Sequence, residues 1–209
     1  MCSAKGRNMR IVILVITLIV LTGCGAGQFA VKEVDNRFSE DKNPLYMAHN
    51  NRISSKSVAG GFYMDDKGVY LDPFVSKNRS NGLVTLLGFN IANKTDYTTM
   101  LGFGDINQLG LIQEVDFSLS DGQLISLKVN NQEENSSGIS YNPIGQYASY
   151  SKTETGIAEI SKDALEKLAL AKHVSCKISG AKHTVIYEEK DIGPEFLDNL
   201  RQFYTVYVK

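Results

Sequence analysis

Few residues in this chain are of types that do chemistry, and their spacing limits what they can do. There are three cysteines and three histidines. Cys24 follows directly on an apolar run, Ile11 to Leu21, broken only by Thr17. Cys176 alternates with Val174 and Ile178, which places it on the apolar side of a strand. A nucleophilic cysteine needs an accessible, electropositive site and a His partner, so the pattern predicts a buried, inert thiol. His49, His173 and His183 form no H-x-x-x-H or H-E-x-x-H spacing, and no C-x-x-C exists. No metal ligand set is expected from them. Asp65, Asp66, Asp72 and Asp105 could face a hard cation, but the alternating acids and terminal Glu of a calcium loop are missing. These acids read as turn formers. Gly102-Phe103-Gly104-Asp105 lacks the third glycine and the Lys-Ser/Thr of a phosphate cradle, and no G-x-S-x-G is present. No catalytic, cofactor-binding or metal residue is expected. Tyr141, Tyr147 and Tyr150, with Tyr204 and Tyr207, suit polar recognition of a saccharide or protein surface. The alternative for them is β-propensity and packing at the rim of a core.

The elements that position these residues are mostly strands. Gly61 to Met64 and Val69 to Val75 flank a turn at Asp65-Asp66-Lys67-Gly68, with Pro73 placing the second arm near an edge. Leu83 to Ile91 reads as a central strand. Asn93 to Asp96 reads as a turn leading into Tyr97 to Leu101, followed by a glycine-rich corner through Gly110. Leu111 to Leu119 and Gln123 to Val129 flank Ser120-Asp121-Gly122, a hairpin whose first arm alternates apolar and polar residues. Asn130 to Gly138 is polar and predicts a flexible loop, and Tyr147 to Ile160 can hold a strand. Ser161 suits an N-cap before an amphipathic helix carrying Leu165, Leu168 and Ala169. His173 to Ser179 and Lys182 to Lys190 then form a hairpin, with Ile178 opposite His183, Cys176 opposite Val185 and Val174 opposite Tyr187. Gly193-Pro194 opens a closing helix with Phe196, Leu200, Phe203 and Tyr207 on one face. The fold class is α+β: an antiparallel β-meander followed by a strand–helix–hairpin–helix section.

The first residues are an address. Lys5, Arg7 and Arg10 precede the apolar run, which is too short for a membrane-spanning helix of about 20 residues. A basic start, an apolar stretch and a small-residue site describe a secretory signal segment. The block Leu21-Thr22-Gly23-Cys24 resembles the lipobox of bacterial lipoproteins. That resemblance implies cleavage before Cys24, which becomes N-acylated and S-linked to diacylglycerol, with palmitate a typical chain. Gly25 stands where Asp would be the inner-membrane retention signal, so the resemblance implies the periplasmic face of the outer membrane in a Gram-negative source. The final strand–helix–hairpin–helix section resembles domains of uncharacterised bacterial envelope lipoproteins, which implies no activity.

Cleavage divides the chain into a signal peptide (1–23), an acylated N-terminus and tether (24–57) and a single globular domain (58–209). The removed piece carries three basic residues and no acid, so the remainder holds 19 Lys+Arg against 23 Asp+Glu. A net charge of −4 argues against a nucleic-acid partner. Cys176 is left without a disulfide partner. A flexible leash of about 30 residues would span roughly 30 Å r.m.s., although its later half has the apolar residues to pack on the domain. These features predict a lipid-anchored, non-enzymatic binding or structural module for an envelope protein or polymer. The alternatives are a small envelope hydrolase with an unfamiliar site, and a carrier of a small apolar ligand.

Overall fold

A computed structural model describes residues 27–34, 43–63, 66–98 and 107–209, the side chains of Tyr97, Thr98 and Tyr147 excepted. The expectations for Cys24, Asp65, Tyr147 and the Gly102–Asp105 stretch therefore lie outside the described residues or side chains. The class is α+β, mostly antiparallel sheet with two short helices. The strands are β1 (Ala30–Val34), β2 (Leu45–His49), β3 (Arg52–Ser54), β4 (Gly68–Lys77), β5 (Val84–Thr98), β6 (Ile112–Leu119), β7 (Leu124–Ser136), β8 (Ser140–Asn142), β9 (Tyr147–Glu159), β10 (Val174–Gly180) and β11 (Thr184–Tyr187). They pair in the order β1-β2-β4-β5-β9-β7-β6-β10-β11, with β3 also on β4 and β8 also on β9. Within the stretch 24–57, the described residues thus include three strands of the sheet.

One strand turns the sheet back over itself. The first part of β7 pairs with β6, and the part from Val129 to Ser136 pairs with β9. The register shifts between Asn130 and Glu133, where Asn131 takes a φ of 50°. An extra residue in one strand bends it and increases its twist. The result brings Phe117 of β6 to 6.3 Å from Phe89 of β5, ring centre to ring centre. Ile53, Leu71, Phe89, Ile91, Val115, Phe117, Ile178 and Tyr187 are all fully enclosed in the core. Across the remaining seam, Gly193 N–H donates to the Ile53 carbonyl at 3.0 Å, and Lys56 meets Asp191 at 2.7 Å. The Ser54 hydroxyl also donates to the Asp191 carbonyl.

The helices are α1 (Lys162–Leu170) and α2 (Pro194–Phe203). Ser161 Oγ accepts from Ala164 N–H at 3.2 Å, satisfying one of the free donors at the start of α1. Gly193 caps α2, and Pro194 fills its first turn, where a missing N–H costs nothing. α2 buries Phe196, Leu200 and Phe203, then widens into a π turn over Tyr204–Val208. That widening brings Tyr204 and Val208 inward and leaves Tyr207 half-buried, 5.3 Å from Tyr46 of β2. Tyr204 is thus a core residue, not a recognition residue.

Several local expectations need correction. Asn93 to Asp96 is not a turn but the continuation of β5, because Asn93 finds buried partners for its amide. Asn130 to Gly138 is not a loop through most of its length, since pairing with β9 supplies the order its composition lacks. Phe62, in the arm expected over 61–64, makes only an isolated bridge to Lys56. β4 is an interior strand despite Pro73. Leu71 N–H points to Asn51 on the β3 side, so Pro73, two residues on, faces the same way. There β2 ends and the chain turns at Asn50, with a φ of 66°, so no ladder bond is lost. In the last hairpin Ile178 lies opposite Val185 and Cys176 opposite Tyr187. The slip of two residues leaves every side chain on its expected face, since the side-chain period of a strand is two.

Candidate functional site

The inward face of β9 is apolar at Ala158 and polar at Lys152 and Glu154, a break in pattern that needs partners. Glu154 is completely buried. Its carboxylate accepts from Leu109 N–H, Gly110 N–H and Asn93 Nδ2, each at 2.8 Å. Asn93 also donates to the Asn107 carbonyl at 2.9 Å and accepts from the Tyr63 hydroxyl at 2.9 Å. Two residues along β9, Lys152 lies 2.7 Å from Glu134 and donates to Gln108 Oε1 at 3.1 Å. Lys182 donates to the same oxygen at 2.6 Å, and His183 Nδ1 donates to the Gln108 carbonyl at 2.7 Å. The carboxylate, the amide and the two ammonium groups thus hold residues 107–110 against β9. This is a latch whose members spend their hydrogen bonds on one another, and no histidine nitrogen among these bonds reaches Glu154.

The other residues singled out in the sequence do not converge. His49 is half-buried in β2, while His173 Nδ1 sits 2.6 Å from Glu189 on the surface. Cys176 is buried, and loss of hydration pushes its thiol well above the ordinary range. Asp66 meets Lys67 at 2.9 Å in the turn before β4. Asp72 is buried and accepts from Asn51 N–H at 2.7 Å; burial raises its carboxyl despite that bond. Among the described residues no group of three or more His, Cys, Asp or Glu could hold a metal ion.

The described residues line open grooves on the surface, two of which bear on binding. The larger, about 550 Å³, runs between the start of β1, the Asn50–Ser55 segment and the start of α2. Its lining includes Phe29, Arg52, Glu195 and Asn199, and Arg52 is spent on the Ser54 and Tyr63 carbonyls at 3.1 and 3.3 Å. The smaller, about 370 Å³, is lined by Asp96, Ser137, Gly138, Ser140, Ser149, Tyr150 and Ser151. Its floor follows from strand register. Asp96 of β5 is opposite Ser151 of β9, and Ser149 of β9 is opposite Ser140 of β8. Ser149 and Ser151 are two apart on β9 and share a face. Ser151 Oγ donates to Asp96 Oδ1 at 2.5 Å, and Ser151 N–H donates to Ser137 Oγ at 2.7 Å. Of the tyrosines expected to serve recognition, Tyr150 and the exposed Tyr141 alternate with these serines along β9 and β8, so their rings point to the other face of the sheet. The sequence does not show the serines and Asp96 as one group, because they come from three strands whose register alone brings them together. Compared with known proteins, the chain matches no family model, no curated protein and no solved structure.

Proposed function

We propose that this chain is a lipid-anchored protein of the bacterial cell envelope, attached through an acylated Cys24 and acting as a binding or structural module. On this reading the α+β domain closes with a strand–helix–hairpin–helix section, and its partner is an envelope protein or polymer. The observation that carries the reading is Leu21-Thr22-Gly23-Cys24 closing a short apolar run behind three basic residues. Diacyl attachment at that point is the two-chain arrangement that holds a protein stably on a bilayer. The fold adds a distance. Gly27 is already against Asn50, and β1 starts at Ala30. Three trans peptides from Cys24 to Gly27 reach at most about 11 Å. The lipid would therefore hold the β1 edge close to the membrane, with the domain's open grooves available to partners in the envelope. The outer membrane, at its periplasmic face, is the location that Gly25 favours.

The test is fractionation of wild type against Cys24→Ala, with mass spectrometry of the N-terminal peptide. Wild type should sediment with membranes and carry a diacylglycerol-modified Cys24, while the variant should be released. A variant that stays membrane-bound, or an unmodified Cys24 in the wild type, overturns the proposal.

A further inference from the structure

We infer that the groove floored by β5, β9 and β8 binds a neutral glycan, which deepens the proposed role by naming the polymer class it takes. The groove exists because small side chains occupy matching positions on neighbouring strands. Ser149 and Ser151 on β9 are flanked by Ser140 and Asp96, and Ser137-Gly138 forms the rim. Four hydroxyls and one carboxylate face a space of about 370 Å³, of the size that holds small ligands.

The chemistry of the lining selects the ligand. Ser151 donates its hydroxyl hydrogen to Asp96, which leaves its oxygen as an acceptor toward the groove. Asp96 Oδ1 takes this bond and the approach of Lys67 at 3.5 Å, while its other oxygen can still accept. Ser140 and Ser149 bring hydroxyls that no group among the described residues engages, and each can donate and accept. Paired donors and acceptors spaced along two strands match the vicinal hydroxyls of a sugar ring. Asp96 supplies the only formal charge among the lining residues. An anionic ligand such as a phosphate would be repelled, whereas neutral sugars and their N-acetylated forms would not. Tyr150 and Tyr141 alternate with these serines along β9 and β8 and turn their rings to the other face, so the groove's contribution to recognition is its hydroxyls and its carboxylate. The groove is open to solvent and not an enclosed cavity, so a sugar unit within a longer chain can enter it.

The test uses the full-length protein in detergent micelles, titrated calorimetrically with cellohexaose, with the hexamer of N-acetylglucosamine and with inorganic phosphate. At least one of the two oligosaccharides should bind, and phosphate should not. Asp96→Asn should weaken sugar binding about tenfold, and Ser140→Tyr, which fills the floor, should abolish it. Circular dichroism melts confirm that each variant is folded. If one variant does not fold, the other decides. The inference is overturned if neither sugar binds, if phosphate binds instead, or if the folded variants bind like wild type. A wild-type protein that binds no sugar but retains an envelope protein in crosslinking also overturns it, while leaving the lipid-anchored module intact. Cys24→Ala should bind the sugar unchanged, so failure of the anchor and failure of the groove are read separately.

Discussion

Replacing Glu154 with alanine removes the acceptor shared by three buried donors: Leu109 N–H, Gly110 N–H and one hydrogen of the Asn93 amide. A buried donor left without a partner costs about 1–3 kcal/mol. Three of them set a ceiling near 9 kcal/mol, which relaxation of residues 107–110 and entry of water will lower. The three groups left behind are neutral, so the cost is that of unsatisfied donors without a stranded charge, and with partial relaxation the expected loss is about 3–5 kcal/mol. In a chain of this size each kcal/mol moves the melting temperature by about 2–4 °C, so Glu154→Ala should melt about 10–15 °C below wild type. Glu154→Gln separates shape from charge. Its oxygen can still serve Leu109 and Asn93, but its NH₂ would face Gly110 N–H donor to donor, so about half the loss is expected. The assay is a thermal melt followed by circular dichroism, with hydrogen exchange of the peptide covering 107–112. A local loss of about 3 kcal/mol corresponds to roughly 100-fold faster exchange at Leu109 and Gly110. An alanine variant that melts within about 3 °C of wild type, with exchange unchanged over 107–112, would refute the reasoning.

Gly180→Ala should destabilise the fold by about 1–3 kcal/mol through overpacking, because its new Cβ would lie 2.1 Å from the Leu109 carbonyl oxygen. Gly138→Ala meets nothing within 4 Å and should melt within about 2 °C of wild type, near the ±0.5 kcal/mol of an ordinary surface change; urea titrations of the two variants check the contrast. Asp72→Asn should raise the melting temperature at pH 7. Burial lifts the folded-state carboxyl above its unfolded value, so the folded protein holds the proton more tightly and loses stability as pH rises from about 4 through that raised pKa. The gain from Asn should therefore shrink to nothing below about pH 4, and a gain that grows on acidification would contradict the assignment.

Sequence made the local elements visible and hid the polar ones. Ser161, Gly193-Pro194 and Ser120-Asp121-Gly122 announce a helix start, a second helix start and a hairpin through side chains that act within a few residues, and each is found in place. The alternation through Val174, Cys176 and Ile178 likewise sorts inside from outside without any knowledge of register. Asn93 and Asp96 look like turn residues because in most chains their amide and carboxyl compete with the ladder. Here Asn93 spends that capacity on Glu154 and Tyr63, 61 and 30 residues away, and no local pattern encodes a partner at such a distance. Asn130 to Ser136 is ordered for the same kind of reason, by pairing with β9. The groove follows suit: Asp96, Ser140, Ser149 and Ser151 are unremarkable polar residues until strand order sets them side by side. Tyr150, which stands out by type, alternates with Ser149 and Ser151 and turns to the other face.

The position of β9 between β5 and β7 has a consequence for how the chain reaches its fold. β5 has β4 on one side from the start, but the partner on its other side begins at Tyr147, so Ile91 waits for Gly156. Contacts that far apart in sequence form late and slow the search for the native state. Until then a strand of 15 residues, with Phe89 and Ile91 on it, presents an open edge to any other extended chain. The molecule's most hazardous moment is thus the interval before β9 arrives, when it is most open to aggregation and most in need of a chaperone.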